Sequence, residues 1–315
     1  MSYPPIKNVA LTAASSSLGS VLVNKLISSG LFNVRVLSTT GSTAALPAGT
    51  DVVKVDYTSI SDLTAALRGI DAVVSTTGSD GFAGQTVLID AAIAAGVRRF
   101  LPSEFGSDLS VPATQALPIL YPKVQVAKYL EAKVRELGDG STFSYTYVYN
   151  SVFLNWGLEV GFLADLRSAI PPAVWGSGDI PFAATTLESV SDAVVGVLTH
   201  PAETANRAVH VASTTDLTQN KIIKLVAEFD LPGKEAWKSG KPAANLKIED
   251  AVAKAEQELA AGAAPGPGNM VPFLIRSIWD PAYSSGRWGA DNKLLGVTQI
   301  TEEGIKDIIQ KILAR

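Results

Sequence analysis

"VALTAASSSLGSVLVNKL", residues 9–26, is the stretch on which the fold turns. An apolar run of strand type leads through small residues into an amphipathic helix. That order suits a βα unit that offers a helix N-terminus to a phosphate, through free backbone N–H groups and the positive end of the helix dipole. Glycines normally permit the turn, the close approach of the phosphate and the packing of helix on strand. Here Gly19 meets the third need, while Ala13 and Ser16 hold the other two positions. An alanine tolerates such a turn at negative φ and resists it at positive φ. Ser15, Ser16 and Ser17 bring hydroxyl donors, so Ala13 through Leu18 and Gly19 remain a candidate phosphate cradle. A purely structural βα turn is the equal alternative.

Outward from this unit, strand and helix signals alternate. Strand-like runs are expected at 7–12, 33–39, 51–57, 71–78, 97–106 (a strand running into a loop) and 143–150, with helices at 17–29, 61–69, 84–96 and 123–137. Valine- and leucine-rich strands separated by helices imply βαβ crossovers and a parallel sheet covered on both faces. The expected fold class is α/β, a doubly wound (Rossmann-like), mostly parallel sheet with a smaller C-terminal α/β substrate lobe. The division falls into residues 1–154, a nucleotide-binding unit, and 155–315, the lobe. A helix at 187–200 and a strand at 207–213 point to partial weaving of the lobe into the main sheet over about 183–215. Residues 263–269, "AAPGPGN", have loop composition, and the end, "TEEGIKDIIQKILAR", has helical spacing of its isoleucines.

Composition narrows the function. Of 315 residues 47% are hydrophobic and 18% charged, with a net charge of −4, which is globular and unsuited to gripping nucleic acid. Arg98-Arg99 is the longest basic run and reads as the entry to a strand. No cysteine is present, which removes disulfides and thiolate chemistry, and the two histidines, His200 and His210, lack metal-site spacing. Both read as structural. The start, "MSYPPIKN", carries no basic-then-apolar signal, and no run reaches membrane-spanning length. The expectation is a cytoplasmic protein, a monomer or homodimer, acting on a small molecule, with no metal, nucleic-acid or membrane partner.

"DAVVSTTG", then Gln85, then "LIDAAIAAGVRRFLPSEFG", then Lys123 and "YTYVYNSVFLNWGL", is similar to the isoflavone reductase-like group of the NmrA-like family, within the atypical short-chain dehydrogenases. "FLPSEFG" followed 17 residues later by a lysine that starts a helix carries most of the specificity. The likeness runs from Asn8 to the "ADNKLLGV" segment. Such proteins are NAD(P)H-dependent reductases of aromatic or secondary-metabolite-type substrates. The resemblance implies that Lys123 is the proton donor near the nicotinamide, with NADPH more favoured than NADH. Two departures stand out. The family's G-x-x-G-x-x-G loop is altered at Ala13 and Ser16, and Thr39 stands where the family carries an arginine for the 2′-phosphate of NADP. Thr39 is not the acidic ribose partner of an NAD site either, so a form that holds no dinucleotide stays open. Lys54 could reach a phosphate there, but an ordinary surface lysine of a strand is the favoured reading.

The remaining candidates follow from position. Thr76, Thr77 and Gly78 end the fourth strand and could line a dinucleotide; Asp56 and Tyr57 end the third and could meet adenine. Ser103, Glu104 and Phe105 follow the fifth strand at the carboxyl edge of the sheet, where ligands bind in doubly wound folds. Lys123 suits proton transfer if burial brings its pKa down. Asn150, Phe153 and Trp156 lie where the resemblance begins the substrate pocket, an aromatic wall fit for an aromatic or polyketide-like molecule. "YLEAK", Tyr129 to Lys133, matches Y-x-x-x-K but sits too late in its helix and has Ala116 where a serine is needed. Three functions are weighed: the reductase; a non-redox isomerase or cyclase on a drifted scaffold; and a dinucleotide-sensing regulator.

Overall fold

The computed structural model describes residues 4–315; the first three residues of "MSYPPIKN" lie outside it. The first half of the chain runs β1 (Asn8–Thr12), α1 (Ser17–Ser28), β2 (Asn33–Thr39), β3 (Asp51–Val55), α2 (Ile60–Ala66), β4 (Ala72–Ser75), α3 (Gln85–Ala94) and β5 (Arg99–Leu101). It continues through a short α4 (Pro112–Gln115), the long α5 (Tyr121–Leu137) and β6 (Ser144–Tyr149). The second half adds β7 (Val152–Phe153), α6 (Leu154–Glu159), β8 (Val174–Trp175), β9 (Phe182–Thr185), α7 (Leu187–Thr199), β10 (Arg207–His210) and β11 (Thr214–Leu217). Last come α8 (Gln219–Ala227), β12 (Asn245–Leu246), α9 (Ile248–Ala260), α10 (Pro267–Trp279), α11 (Asn292–Leu295) and α12 (Glu302–Leu313).

Seven strands, all paired in parallel, make the main sheet in the order β10-β6-β5-β4-β1-β2-β3. Every residue of β4, Ala-Val-Val-Ser, is buried, as a strand with helices on both faces requires. The pleat divides the core. Val9 and Leu11 join the cluster under α1 and α7, while Ala10 joins the one under α2, α3 and α5. The fold class expected from the alternation of signals is therefore the one observed. Chain direction across the sheet reverses between β1 and β4, so the carboxyl ends of those strands open a crevice, the usual ligand position in such sheets.

Beyond β6 the chain contributes α7 and β10 to this main body. Thr186 starts α7 by accepting the Ser189 N–H at 3.1 Å. A small sheet, β11-β9-β7, and the pair β12-β8 stand apart from the main one. Arg98 sits at a strand entry, bridging Asp71 at 2.6 Å and the carbonyls of Pro4 and Pro5. Arg99 is buried and bonded to Ser144, Thr146 and Thr204. No helix among the described residues is long and apolar enough to cross a membrane.

One expectation fails. Residues 263–269 are not all loop, because α10 begins at Pro267 and runs 13 residues into the core to Trp279. Composition misleads here because Pro267 is tolerated in the first turn, where its missing N–H has no intrahelical partner. Asn269 closes the start by accepting the Gly266 N–H at 2.8 Å. The interior Pro272 also hides the periodicity, yet burial of Phe273, Ile275 and Trp279 holds the helix together.

Candidate active site

The loop between β1 and α1 is built around Ala13, whose φ of +51° is left-handed. The condition under which an alanine fits without strain is thus not met, and it costs about 1 kcal/mol relative to glycine. Two bonds to the Ala13 carbonyl hold it there, from the Ser16 N–H at 2.9 Å and the Thr76 hydroxyl at 3.3 Å. Ser16 is the helix cap: its Oγ accepts the Gly19 N–H at 3.0 Å and donates to the Thr76 carbonyl at 3.2 Å. That hydroxyl is engaged by protein, whereas Ser15 and Ser17 are exposed and Leu18 points into the core. Gly19 is sterically required. A Cβ there would lie 2.2 Å from the Ala13 carbonyl and 2.9 Å from Ala14 Cα, both backbone.

In front of this loop lies a cavity of about 460 Å³. Ala13 and Ser15 line its phosphate-loop side, Thr39 and Tyr57 its outer end, and Thr77 with Gln85 its inner end. Tyr57 is anchored by its hydroxyl on the Leu37 carbonyl at 2.8 Å, and burial raises its phenol pKa well above the ordinary value. The cavity and the N-terminal end of α1 beside it fit the phosphates and adenosine of a dinucleotide. Several candidates stand outside its wall. Asp56 is exposed and accepts from the Thr58 N–H and hydroxyl at 2.8 and 2.7 Å, bonds that hold its pKa below the ordinary carboxylate value. Thr76 is buried, bonded to the Thr12 carbonyl at 2.7 Å, and Gly78 lies exposed ahead of a single helical turn.

The loop after β5 packs behind the inner end. The Ser103 N–H donates to Gln85 Oε1 at 2.8 Å, and its hydroxyl to the Thr77 carbonyl at 2.7 Å. Phe105 is buried in the α1-side core. Lys123 enters from the first turn of α5, just after Pro122, and its ammonium donates to the Glu104 carbonyl. Nζ also lies 5.4 Å from the Phe82 ring centroid, a cation–π contact. As a residue Lys123 is only partly exposed, but its charged end is enclosed, and burial lowers its pKa against the opposing pull of Glu104.

Glu104 itself is almost fully buried, and its Oε2 has no hydrogen-bond partner. Burial raises its pKa from 4.5 to about 7, with Lys123 pulling the other way. A folded-state acid with a raised pKa binds protons that the unfolded chain releases, so stability falls as pH rises through the window from about 4.5 to about 7. Glu104→Gln should lack that slope. Its advantage over the parent should open across the window to at most roughly 3 kcal/mol, read as a difference in thermal midpoint between pH 5 and pH 8. Parallel midpoint curves for the two proteins would show that Glu104 is ionised throughout.

Of the three residues expected at a substrate pocket, Asn150 is fully buried, with Nδ2 on the Ser151 carbonyl at 3.0 Å and Oδ1 unpartnered. Phe153 and Trp156 meet edge to face at 6.5 Å between centroids, and Trp156 is 37% exposed at the surface. Tyr129 and Lys133 both bond Asp90 on α3, at 2.7 and 3.0 Å, away from the cavity. His200 ends α7, and His210 is buried against Asp108 at 2.9 Å. Gln85 carried part of the resemblance but was given no role from the sequence, and Phe82 was not among the candidates. A glutamine opening the apolar run of α3 was the signal for the first; only folding buries it and brings Phe82 to Lys123.

The model of the NmrA-like family matches residues 5–252. Oxidoreductase poxI of Penicillium oxalicum is 30% identical over 294 residues, 90% of this chain and 86% of that protein. Oxidoreductase aprR of Aspergillus flavus is 33% identical over 218 residues, 68% and 71% of the two chains. The solved structure of AtPrR2 with NADP+ and (+)pinoresinol superposes with a TM-score of 0.73 at 19% identity, covering 98% of this chain and 99% of that one, a likeness of fold. With most of its length inside the family model and a relative matched almost end to end, the chain belongs to the NmrA-like family.

Proposed function

We propose that this chain is an NADPH-dependent reductase of a small aromatic or polyketide-like molecule, with Lys123 as proton donor. The observation that carries the reading is the enclosed Lys123 ammonium, held by the Glu104 carbonyl at the carboxyl edge of the sheet, beyond the inner end of the cavity. The names of the two fungal relatives support an oxidoreductase, and the fold neighbour solved with NADP+ supports the choice of dinucleotide.

The loop at Ala13 and Ser15, with Thr39, Tyr57 and Thr77, would hold the dinucleotide. When bound, NADPH supplies a hydride for an electron-poor carbon. Lys123 Nζ holds the proton that the negative charge developing on the substrate requires, and its lowered pKa eases the release. The Glu104 carbonyl fixes where that nitrogen sits. Phe153 and Trp156 offer rings on which an aromatic substrate can stack. The strain at Ala13 and the capping role of Ser16 favour one rival, a non-redox isomerase or cyclase. Quenching of tryptophan fluorescence by NADPH separates the two. Saturable binding is expected; no binding of NADPH or NADH at millimolar concentration, with turnover by dinucleotide-free protein, would replace the reductase by the rival.

A further inference from the structure

Thr39 leaves the outer end of the cavity without the charge that a ribose phosphate needs, and the fold supplies one from the neighbouring strand. Lys54, on β3, pairs in register with Ser38 on β2. Its ammonium donates to Ser38 Oγ at 3.3 Å and to the Ser42 carbonyl at 2.5 Å. Ser38, Thr39 and Ser42 belong to the cavity wall; Lys54 is not itself part of it, but its ammonium is held directly on two of those wall residues by neutral acceptors. No carboxylate among the described residues pairs with it. Asp51 is taken by Arg35 at 2.7 Å, and Asp56 turns back onto Thr58. An ammonium has three donors, so one remains for a ligand, beside three hydroxyls that can also donate.

We infer that Lys54, with the hydroxyls of Ser38, Thr39 and Ser42, forms a site for a phosphate monoester on the adenosine ribose, and that this makes the chain select NADPH over NADH. The inference rests on the dinucleotide reading above. A lysine acts here as a point charge and needs no bidentate fork, so it can come from a strand flank while the loop hydroxyls give direction. The opposing view is a lysine that only ties β3 to the loop after β2.

Calorimetric titration of the parent and of Lys54→Met with 2′,5′-ADP, 5′-AMP, NADPH and NADH decides between them. The parent should bind 2′,5′-ADP at least about tenfold more tightly than 5′-AMP. Lys54→Met should weaken 2′,5′-ADP and NADPH by about 10- to 100-fold and leave 5′-AMP and NADH unchanged. Lys54 is exposed, so the variant should fold, with a thermal midpoint near the parent's. Equal weakening of all four ligands, or a parent indifferent to the 2′-phosphate, overturns the role of Lys54. A parent that binds NADH and NADPH alike keeps the dinucleotide reading and loses this one; a parent that binds none of the four loses both.

Discussion

Lys123→Met is expected to slow substrate reduction by about 10²- to 10⁴-fold, the range for loss of a positioned proton donor, while NADPH affinity stays within a few-fold. The separation follows from position. Lys123 stands behind the inner end of the cavity, bonded to the Glu104 carbonyl, and is not part of the cavity wall. Methionine keeps the stem and removes the proton. The gain from removing an enclosed ammonium is set against the loss of the charge that opposes burial of Glu104, so the thermal midpoint is read beside the rate to separate loss of the proton donor from loss of the fold. Single-turnover rates and dinucleotide titrations on the same preparation give both numbers. A rate within threefold of the parent's would remove Lys123 from the chemistry.

Gly19→Ala is expected to lower stability by about 1–3 kcal/mol or more, the usual result of forcing atoms into a packed site. The penalty falls at the upper end because the added Cβ would meet backbone, at 2.2 Å from the Ala13 carbonyl and 2.9 Å from Ala14 Cα, where no side chain can move aside. Relief would have to come from shifting α1 off β1 or from opening the Ala13 turn. Either movement disturbs the phosphate side of the cavity, so dinucleotide binding should fall together with the thermal midpoint. An unchanged midpoint would mean that the turn is looser than its hydrogen bonds indicate.

Much of the main sheet was legible in the chain. The runs at 33–39 and 143–150 match β2 and β6 to within a residue, because both are rich in the β-branched and aromatic residues that suit a pleated strand. The helix at 17–29 was equally plain, since Ser16 caps it and Leu18, Leu22 and Leu26 repeat on its buried face. The helix α10 was not, because its prolines and glycines read as loop and its stability comes from burying Phe273 and Trp279. Among the site residues, Gly19 could be recognised from the motif alone. Its neighbour Ala13 could not be judged without a backbone angle, which the side chain does not reveal.

By itself the sequence determined the α/β alternation, the start of α1 and a lysine on the first turn of α5, since these depend on local periodicity, capping and spacing. Only the tertiary structure decided that Ala13 is left-handed, that Glu104 is sealed beside Lys123, and that Lys54 reaches Ser38 and Ser42 across two strands. Those facts depend on burial and on contacts between residues distant along the chain, and neither is set until the sheet closes and its loops pack.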